Sequence, residues 1–382
     1  MQFLTSELAQ EMVERTMHIL HQNINVMNAD GVIIGSGERK RIGQKHDGAR
    51  LVLSSGDSVE IDQETSRRLK GVRPGINLPI CFREQVVGVI GITGEPGDIR
   101  HHAELVKMAA ELVLEQSFLL ERFQWRQRIE SEIVNQLISE SDMGDHQLKH
   151  RADWLGMDLD KRRMAIVFQP IPSSEDTVHK MMHAIQYDKN ADDLLGMTFR
   201  HELILLRQPI CDHQFKHVIE QLQQTMAGAV DGQVLVGVGT VAEDMSQLPV
   251  SFQHAREALR LGKVLHPEES IYVFESYQLE SLFIKAGAAK ERKRWSDFYH
   301  PLIQETELVQ TLKVYIEEGG DLQRIVDRLF IHRNTLRYRL DKIQALTGKD
   351  PRHVKQLMEL YIAQLDNQLS KLCICTTGRR NK

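Results

Sequence analysis

The sequence predicts an α+β protein of several domains, in which a long helix separates two mixed regions and an all-helical module follows. Three observations support this. The 382 residues suffice for two or three domains of ordinary size. Strand-like apolar runs alternate with segments of helical spacing in residues 1–100 and 160–275. Residues 101–140 contain neither proline nor glycine, which favours one uninterrupted helix.

The charge of the chain is uneven. Its formal net charge is −5, so the protein as a whole is not a general binder of polyanions. Residues 319–363 nevertheless hold nine basic and five acidic residues, a net +4 that leaves −9 for the remainder. Such a segment limits nonspecific attraction to one surface. Its basic residues are Arg324, Arg328, Arg333, Arg337, Arg339, Lys342, Lys349, Arg352 and Lys355.

The first hundred residues predict a sensor domain. Thr5 or Ser6 can cap a first helix. The turn at 28–31 ends in Gly31 and joins two strands, and a second hairpin turns at residues 83–85. The order hairpin, helices, hairpin is typical of PAS or Cache-like sensors, in which a curved antiparallel sheet holds a ligand on one face.

Polar residues gather where the pocket of such a domain would lie. Arg41 with His46 could clasp a carboxylate, because a guanidinium pairs bidentately with it and histidine adds a donor. The alternative is that each residue belongs to a turn or to the surface of a structural domain. The candidate effector-binding residues are Ser36, Arg41, His46, Arg73, Asn77 and Thr93.

The predicted connecting helix has an incomplete seven-residue repeat. Polar residues interrupt both sets of repeat positions. The helix could therefore form a coiled-coil dimer or pack within one subunit. A continuous helix would transmit a rotation or shift from one end to the other. The repeat places Leu105, Leu112, Leu119, Arg126 and Ile133 on one line, and Ala109, Gln116, Phe123, Glu130 and Leu137 on its companion.

The middle region predicts an α/β domain. MAIVFQP, HELILLRQP and VLVGVGTVA are strand-like runs, and residues 213–226 and 248–261 have helical patterns. Gly237 and Gly239 could begin a dinucleotide-binding loop, but Ala242 stands where its third glycine is needed. A core strand is therefore the better interpretation. The sequence contains no nucleophile elbow, Walker lysine loop or H-E-x-x-H motif.

The stretch Gly319–Gly348 predicts two short helices with a tight joint. Asp321 is a favourable N-cap for the first helix, and the second begins near Arg333 or Asn334. Phe330 and Ile331 form the joint. Helical spacing directs two apolar sets inward, Leu322, Ile325, Val326 and Leu329 in the first helix and Leu336, Leu340 and Ile343 in the second.

The outer side of the second helix is suited to the DNA major groove. Arginine can form bidentate hydrogen bonds with guanine and asparagine can do so with adenine, while other cations bind phosphates. We expect Arg333, Asn334 and Arg337 to contact base edges. The alternative is an amphipathic helical hairpin with a solvated basic face. The candidate DNA-binding residues are His332, Arg333, Asn334, Thr335, Arg337, Tyr338 and Arg339.

The run LFIHRNTLRYRL closely resembles the C-terminal helix-turn-helix of the PucR and carbohydrate diacid regulator families of bacterial transcription factors. It is far more specific than generic helix-turn-helix spacing. One departure is Val326, where such motifs usually have a small residue. NINVMNADGVIIGSG, GVRPGINLP and VVGVIGITGEP resemble the sugar-diacid recognition domain of the same regulators, so the resemblance extends over nearly the whole chain.

The resemblance implies a cytoplasmic DNA-binding regulator, expected to be an activator and a homodimer or larger. It implies a small dicarboxylate effector such as glucarate, galactarate or a glycerate-type metabolite. It also implies a degenerate GGDEF-like middle domain with its hairpin at LLGMTFRHELILL. The Gly-Gly-acidic-acidic-Phe signature of a cyclase is absent there, so metal and nucleotide ligands and catalysis are not expected. No cofactor is predicted.

We predict four segments: a sensor domain with a long C-terminal helix (1–135), a degenerate GGDEF-like domain (136–280), a helix-turn-helix domain (281–370) and a tail (371–382). Two other functions stay open, a nucleotide cyclase or phosphodiesterase controlled by the sensor, and a scaffold whose basic helix contacts protein. The four scattered cysteines predict free thiols. No apolar run reaches the roughly 20 residues of a membrane helix, which predicts a soluble protein.

Overall fold

The computed structural model describes residues 4–139, 145–286 and 296–377. They belong to two compact units, Met1–Arg128 and Ile129–Lys382. The division falls slightly before the predicted sensor boundary at residue 135. Within the described residues, no helix combines the length and the apolar character needed to cross a bilayer.

The first unit contains one antiparallel sheet with the strand order β2-β1-β5-β4-β3. Both predicted hairpins are present, and the strand at Val59–Ile61 is an addition, since three residues are too few to show an alternating pattern. The strands are β1 (Ile24–Asn28), β2 (Ile33–Ser36), β3 (Val59–Ile61), β4 (Gly75–Phe82) and β5 (Gln85–Thr93). The helices are α1 (Ser6–Leu20), α2 (Asp47–Ser55), α3 (Gln63–Ser66) and α4 (Pro96–Leu137), with a 3-10 turn at Arg39–Arg41.

Helices cover both faces of this sheet. Helix α1 begins after Thr5, whose hydroxyl accepts from the Leu8 amide at 3.2 Å, as its capping chemistry predicts. Together with α4 it packs on the face formed by Ile24, Ile76 and other alternate strand residues. Helix α2 covers the opposite face. The buried apolar residues there are Met27, Ile33, Ala49, Val52 and Val89.

Helix α4 is continuous, as predicted, but its packed face differs from the predicted repeat. The positions at Leu105, Leu112 and Leu119 are each 57% exposed, because another set of residues faces the sheet. Ile133 and Leu137, by contrast, are buried in the core of the second unit. The residues that pack on the first sheet are Ile99, Ala103, Val106, Ala110 and Leu114.

The second unit contains a mixed sheet with the order β10-β9-β6-β8-β7, in which β10 is parallel to β9. The predicted middle strands and the hairpin between β7 and β8 are confirmed. The strands are β6 (Arg163–Ile171), β7 (Leu194–Met197), β8 (Leu203–Arg207), β9 (Gln233–Ala242) and β10 (Ile271–Val273). Its first helices are α5 (Asp145–Trp154), α6 (Glu175–Ala184), α7 (Asp212–Gly228), α8 (Leu248–Leu265) and α9 (Gln278–Ala286), with 3-10 turns at Ile185–Tyr187, Met245–Gln247 and Phe274–Tyr277.

An all-helical module follows in the same unit. The start of the predicted helix-turn-helix domain (281–370) is only partly described, since residues 287–295 lie outside the described ranges. The last helix continues to Thr377, beyond the predicted end at residue 370. Cys81 and Cys211 are free thiols, and the side chains of Cys373 and Cys375 lie outside the description. After a 3-10 turn at Asp297–Tyr299, the helices are α10 (His300–Ile303), α11 (Thr306–Glu317), α12 (Leu322–Leu329), α13 (Arg333–Thr347) and α14 (Val354–Thr377).

Candidate DNA-binding surface and ligand site

Helices α12 and α13 form the predicted pair with a three-residue joint. Asp321 caps α12, with its Oδ1 accepting from the amides of Gln323 and Arg324 at 3.0 and 3.3 Å. Phe330 ends that helix in the left-handed conformation, with φ of 54°. His332 caps α13, and its Nδ1 accepts from the Asn334 amide at 3.2 Å. Local side-chain chemistry thus defines both ends of the joint.

The apolar face of α13 is buried as predicted. Leu336, Leu340 and Ile343 pack with Ile325 of α12 in one core. Leu322 was predicted to join them, but it is 55% exposed. It is the first residue of α12, and the buried contacts of that helix begin one turn later, at Ile325. The scaffold therefore fixes α13 by its inner leucines and leaves its other side free.

The predicted DNA-binding residues, with one exception, are exposed on the start and outer side of α13. The exception is Arg339, whose side chain is only 18% exposed. Its Nη2 donates to Glu307 Oε2 at 2.7 Å and its Nη1 to Thr311 Oγ1 at 3.2 Å, so it ties α13 to α11. The exposed residues are His332, Arg333, Asn334, Thr335, Arg337 and Tyr338.

Internal ion pairs neutralise most of the basic residues between 319 and 363. Within the described residues, Arg333, Arg337 and Lys355 have no carboxylate partner. Arg333 and Arg337 are one turn apart at the start of α13, so their charges reinforce one another toward solvent. The paired residues are Arg324, Arg328, Arg339, Lys342, Lys349 and Arg352.

In the first unit, the register of the sheet brings polar side chains into one row. Asn25 pairs with Ser36 on one side and with Gly91 on the other, and Gly91 pairs with Asn77. Directly paired residues point to the same face of a sheet. This row therefore faces α2, and Gly91, which has no side chain, lies between Asn25 and Asn77.

Asn77 is 3% exposed, and its Oδ1 has no hydrogen-bond partner among the described residues. A Cβ on Gly91 would lie 2.7 Å from this oxygen, and one on Gly48 would lie 3.0 Å from Asn77 Nδ2. The amide therefore lies between the glycine of the sheet and the first turn of α2. A buried acceptor without a partner is costly. The chemistry that would satisfy this oxygen is a hydroxyl or an N–H donor.

His46 lies beside this amide as the N-cap of α2. Its Nδ1 accepts from the Ala49 amide at 3.2 Å. Burial, and then the charge of Arg41, lowers the pKa of His46 from 6.5 to about 4. The imidazole is therefore neutral near pH 7, and because Nδ1 is the acceptor, Nε2 holds the proton. His46 offers one N–H donor rather than a full positive charge.

Arg41 is the buried cation of this site, with 8% of its surface exposed. Its Nη2 donates to the carbonyl oxygen of Gly71 at 2.5 Å. Burial, and then the charge of Arg73, lowers the pKa of Arg41 from its usual value. Arg73 itself is exposed and forms a two-point ion pair with Glu38. The two arginines thus differ, since Arg73 already has a carboxylate partner and Arg41 has no ion-paired carboxylate among the residues that the structure describes.

The remaining predicted residues occupy different positions. Ser36 is fully buried, and its hydroxyl donates to Asn25 Oδ1 at 2.7 Å. Thr93 is half-buried opposite Gly75, at the end of β5. Sequence reasoning missed Asn25, which is only 2% exposed. Its alternation with Ile24 resembled an outward polar position, and no local signal shows that α2 covers this face.

Three family models match the chain. A sugar diacid recognition model matches residues 4–137. A GGDEF-like domain model matches residues 140–261. The PucR C-terminal helix-turn-helix domain model matches residues 308–365, which include both α12 and α13.

Similar proteins extend over nearly the whole chain. The carbohydrate diacid regulator of Escherichia coli K12 is 34% identical and aligns with 96% of this chain and 98% of its own length. An uncharacterized protein of Haemophilus influenzae Rd is 33% identical over 94% of this chain and 97% of its own. The purine catabolism regulatory protein of Bacillus subtilis 168 is 22% identical over 63% of this chain and 49% of its own length.

Proposed function

The chain belongs to the carbohydrate diacid regulator family of bacterial transcription factors, and we propose that it is a DNA-binding regulator of sugar diacid genes, expected to be an activator. The observation on which this depends is the outer side of α13. Arg333 and Arg337, which have no carboxylate partner in the described part of the chain, lie there beside the exposed Asn334 and Tyr338. We assign base contacts to Arg333, Asn334 and Arg337, and phosphate contacts to His332, Thr335 and Tyr338.

We infer a different role for Arg339. A guanidinium that is held by a carboxylate and a hydroxyl on α11 is poorly placed to bind a phosphate as well. Instead it sets the position of α13 on its support. DNA-contacting residues need such a rigid base, because base recognition depends on side chains held at defined positions.

The first domain is proposed to bind the effector, a hydroxylated acid: a dicarboxylate such as glucarate or galactarate, or a glycerate-type metabolite, which has a single carboxylate. Arg41 and the Nε2–H of His46 would bind a carboxylate, and the first turn of α2 adds a favourable dipole. Asn77 Oδ1 would accept from a hydroxyl. The strand order and the placement of the hairpins favour a PAS-like sheet as the scaffold of this site.

The remaining candidates take lesser roles at this site. Ser36 would orient Asn25, because its hydroxyl is already donated to that side chain. Arg73 would hold the rim through Glu38, and Thr93 extends the same face of the sheet. We propose no catalytic role for the middle domain. Its β7–β8 hairpin turns through Thr198-Phe199-Arg200-His201, where a cyclase has its acidic signature.

Fluorescence anisotropy tests this function. The DNA probes are the regions upstream of the gene that encodes this protein and of neighbouring diacid catabolism genes, and binding is measured around physiological ionic strength. We expect tight binding that weakens steeply with salt, by about 0.9 in log K per log salt for each phosphate contacted. Glucarate, galactarate or glycerate should shift the affinity. The matched control is adipate, which has two carboxylates without hydroxyls. Salt-independent binding, or no selectivity over unrelated DNA, would contradict the proposal.

A homodimer is proposed to form along α4. Leu105, Met108, Leu112 and Leu119 are exposed apolar residues that recur at three-, four- and seven-residue intervals. That spacing forms one stripe along a helix. A second copy of the chain is the fitting partner, because an isologous contact of this stripe with itself would bring two α13 helices to a symmetric operator.

Substituting both Leu112→Glu and Leu119→Glu is expected to convert the dimer to a monomer at micromolar concentration, since two buried charges would face each other across the stripe. Sedimentation velocity measures this directly. Leu51→Glu, at another exposed leucine, which lies on α2 and is 42% exposed, serves as the control and should remain dimeric. A monomeric wild type, or a dimeric double variant, would show that the stripe has another role.

A further inference from the structure

The middle domain contains a cavity of about 530 Å³ beside α8 and the β7–β8 hairpin. We call it the α8 cavity. Neither the DNA-binding surface nor the diacid site includes it. Its volume falls within the range that small-molecule sites usually occupy. Its charged and polar lining consists mainly of Gln169, Arg200, Glu202, Arg256, Arg260 and Lys263.

Three of these cations share one face of α8. Arg256, Arg260 and Lys263 lie at positions i, i+4 and i+7, which places them on successive turns above one another. Like charges at this spacing destabilise a helix. Arg200 adds a fourth cation from the end of the hairpin. The chain therefore concentrates positive charge here at a cost to its own stability.

The carboxylates that line the cavity neutralise only part of this charge. Glu202 is buried, accepts from Thr198 Oγ1 at 3.2 Å and lies 3.6 Å from Arg256 Nε. Glu257 is engaged by Lys285 at 2.9 Å. Each acid is thus matched by one cation. Among the described residues, Arg200, Arg260 and Lys263 remain without a paired carboxylate.

The rest of the domain differs in this respect. Between residues 157 and 286 there are twelve lysines and arginines. Arg163 donates to backbone carbonyls. Among the described residues, the three cations with neither a carboxylate nor such carbonyls all line the α8 cavity. The eight that form ion pairs are Lys161, Arg162, Lys180, Lys189, Arg207, Lys216, Arg256 and Lys285.

Lys263 is the innermost of these three. Its ammonium donates to Gln169 Oε1 of β6, which leaves its further donors for a ligand. Burial lowers its pKa from the usual value, and the carboxylate of Glu202 partly opposes that shift. An anion in the cavity would favour the charged form of this lysine. Arg200 and Arg260 are exposed at the mouth, where their planar forks could close on the same anion.

We propose that the α8 cavity binds a phosphate-bearing small molecule of about nucleotide size. Two guanidinium forks and an ammonium match the oxygens of a di- or triphosphate, which supplies three or more negative charges. A dicarboxylate supplies only two and would leave one cation unmatched. The site is a binding site without catalysis, since the hairpin lacks the acidic signature. It is independent of the proposed DNA and diacid functions.

Isothermal titration calorimetry of the full chain with GTP, ATP and inorganic pyrophosphate tests this site. We expect at least one of these probes to bind, and Arg200→Ala with Arg260→Ala to weaken it by roughly tenfold or more. Both residues are exposed, so the fold should tolerate the change. Lys180→Ala with Lys216→Ala removes the same charge from exposed paired positions of the same domain and should leave the affinity within about twofold.

Three results would overturn the proposal. The first is the absence of binding for all three phosphate probes. The second is an unchanged affinity in the Arg200 and Arg260 double variant, since the phosphate would then bind elsewhere. The third is glucarate binding as tightly as the best phosphate probe in a manner lost in that variant, which would assign the cavity to carboxylates.

Discussion

Arg333→Ala combined with Arg337→Ala is expected to abolish selective binding to the operator. Each arginine that forks to a base edge contributes about 1–3 kcal/mol of discrimination. Both are exposed on α13 and have no carboxylate partner among the described residues, so neither has a second structural task. The loss should therefore appear in DNA affinity and not in folding. Anisotropy against the operator and an unrelated duplex measures both affinities.

Lys313→Ala is the matched control for this variant. It removes a positive charge from the same module, but from α11, where the lysine pairs with Glu317 at 3.7 Å. We expect only a small decrease in affinity for both duplexes. Thermal denaturation should show the same midpoint for all three proteins. Retained selectivity in the Arg333 and Arg337 double variant would mean that this face of α13 does not contact the bases.

Arg41→Ala is expected to remove the response to the diacid while leaving DNA binding without effector unchanged. The side chain is buried, adjacent to neutral His46, and provides the site with its cation. Hydrogen bonds to a charged group contribute about 1.5–3 kcal/mol each, so effector affinity should fall by roughly tenfold to a hundredfold. The effector concentration that gives a half-maximal shift in operator affinity reports this change.

Loss of the Arg41 bond to the Gly71 carbonyl could also loosen the domain, and two controls separate the effects. Arg73→Ala removes a nearby exposed cation that already has Glu38 as its partner, so it should reduce the response only slightly. Asn77→Leu keeps the size of the side chain but removes the acceptor for a hydroxyl. It should weaken the response to hydroxylated diacids toward the level seen with the control adipate. A normal response in Arg41→Ala would exclude a carboxylate contact at that residue.

The helix-turn-helix could be predicted almost completely because its determinants are local. Asp321 caps α12 through amides two and three residues away, and the helical spacing of Leu336, Leu340 and Ile343 marks the face that is buried. Leu322 was predicted to be buried but is exposed, because the end of a short helix can extend past the helix on which it packs. Arg339 could not be assigned in advance, since its partner Glu307 lies on another helix.

The candidate ligand site could be predicted only in part. Arg41, His46 and Asn77 were proposed from their chemistry, and the structure brings them together around the start of α2. Asn25 was missed, because its burial requires the register of β1 with two other strands and the cover of α2, which begins only at Asp47. Helix α4 was continuous as expected. Its packed face differs from the predicted one, since apolar residues lie on more than one side of the helix.

The internal pairing of charge in the helix-turn-helix module has a kinetic consequence. With six of its basic residues already matched by carboxylates, the module exposes few unmatched cations to the long polyanion of the chromosome. Residence on random sequence should therefore be brief, and sampling of many sites rapid. With the proposed base contacts, the dwell time at the operator would then depend on how well Arg333 and Arg337 fit its base pairs.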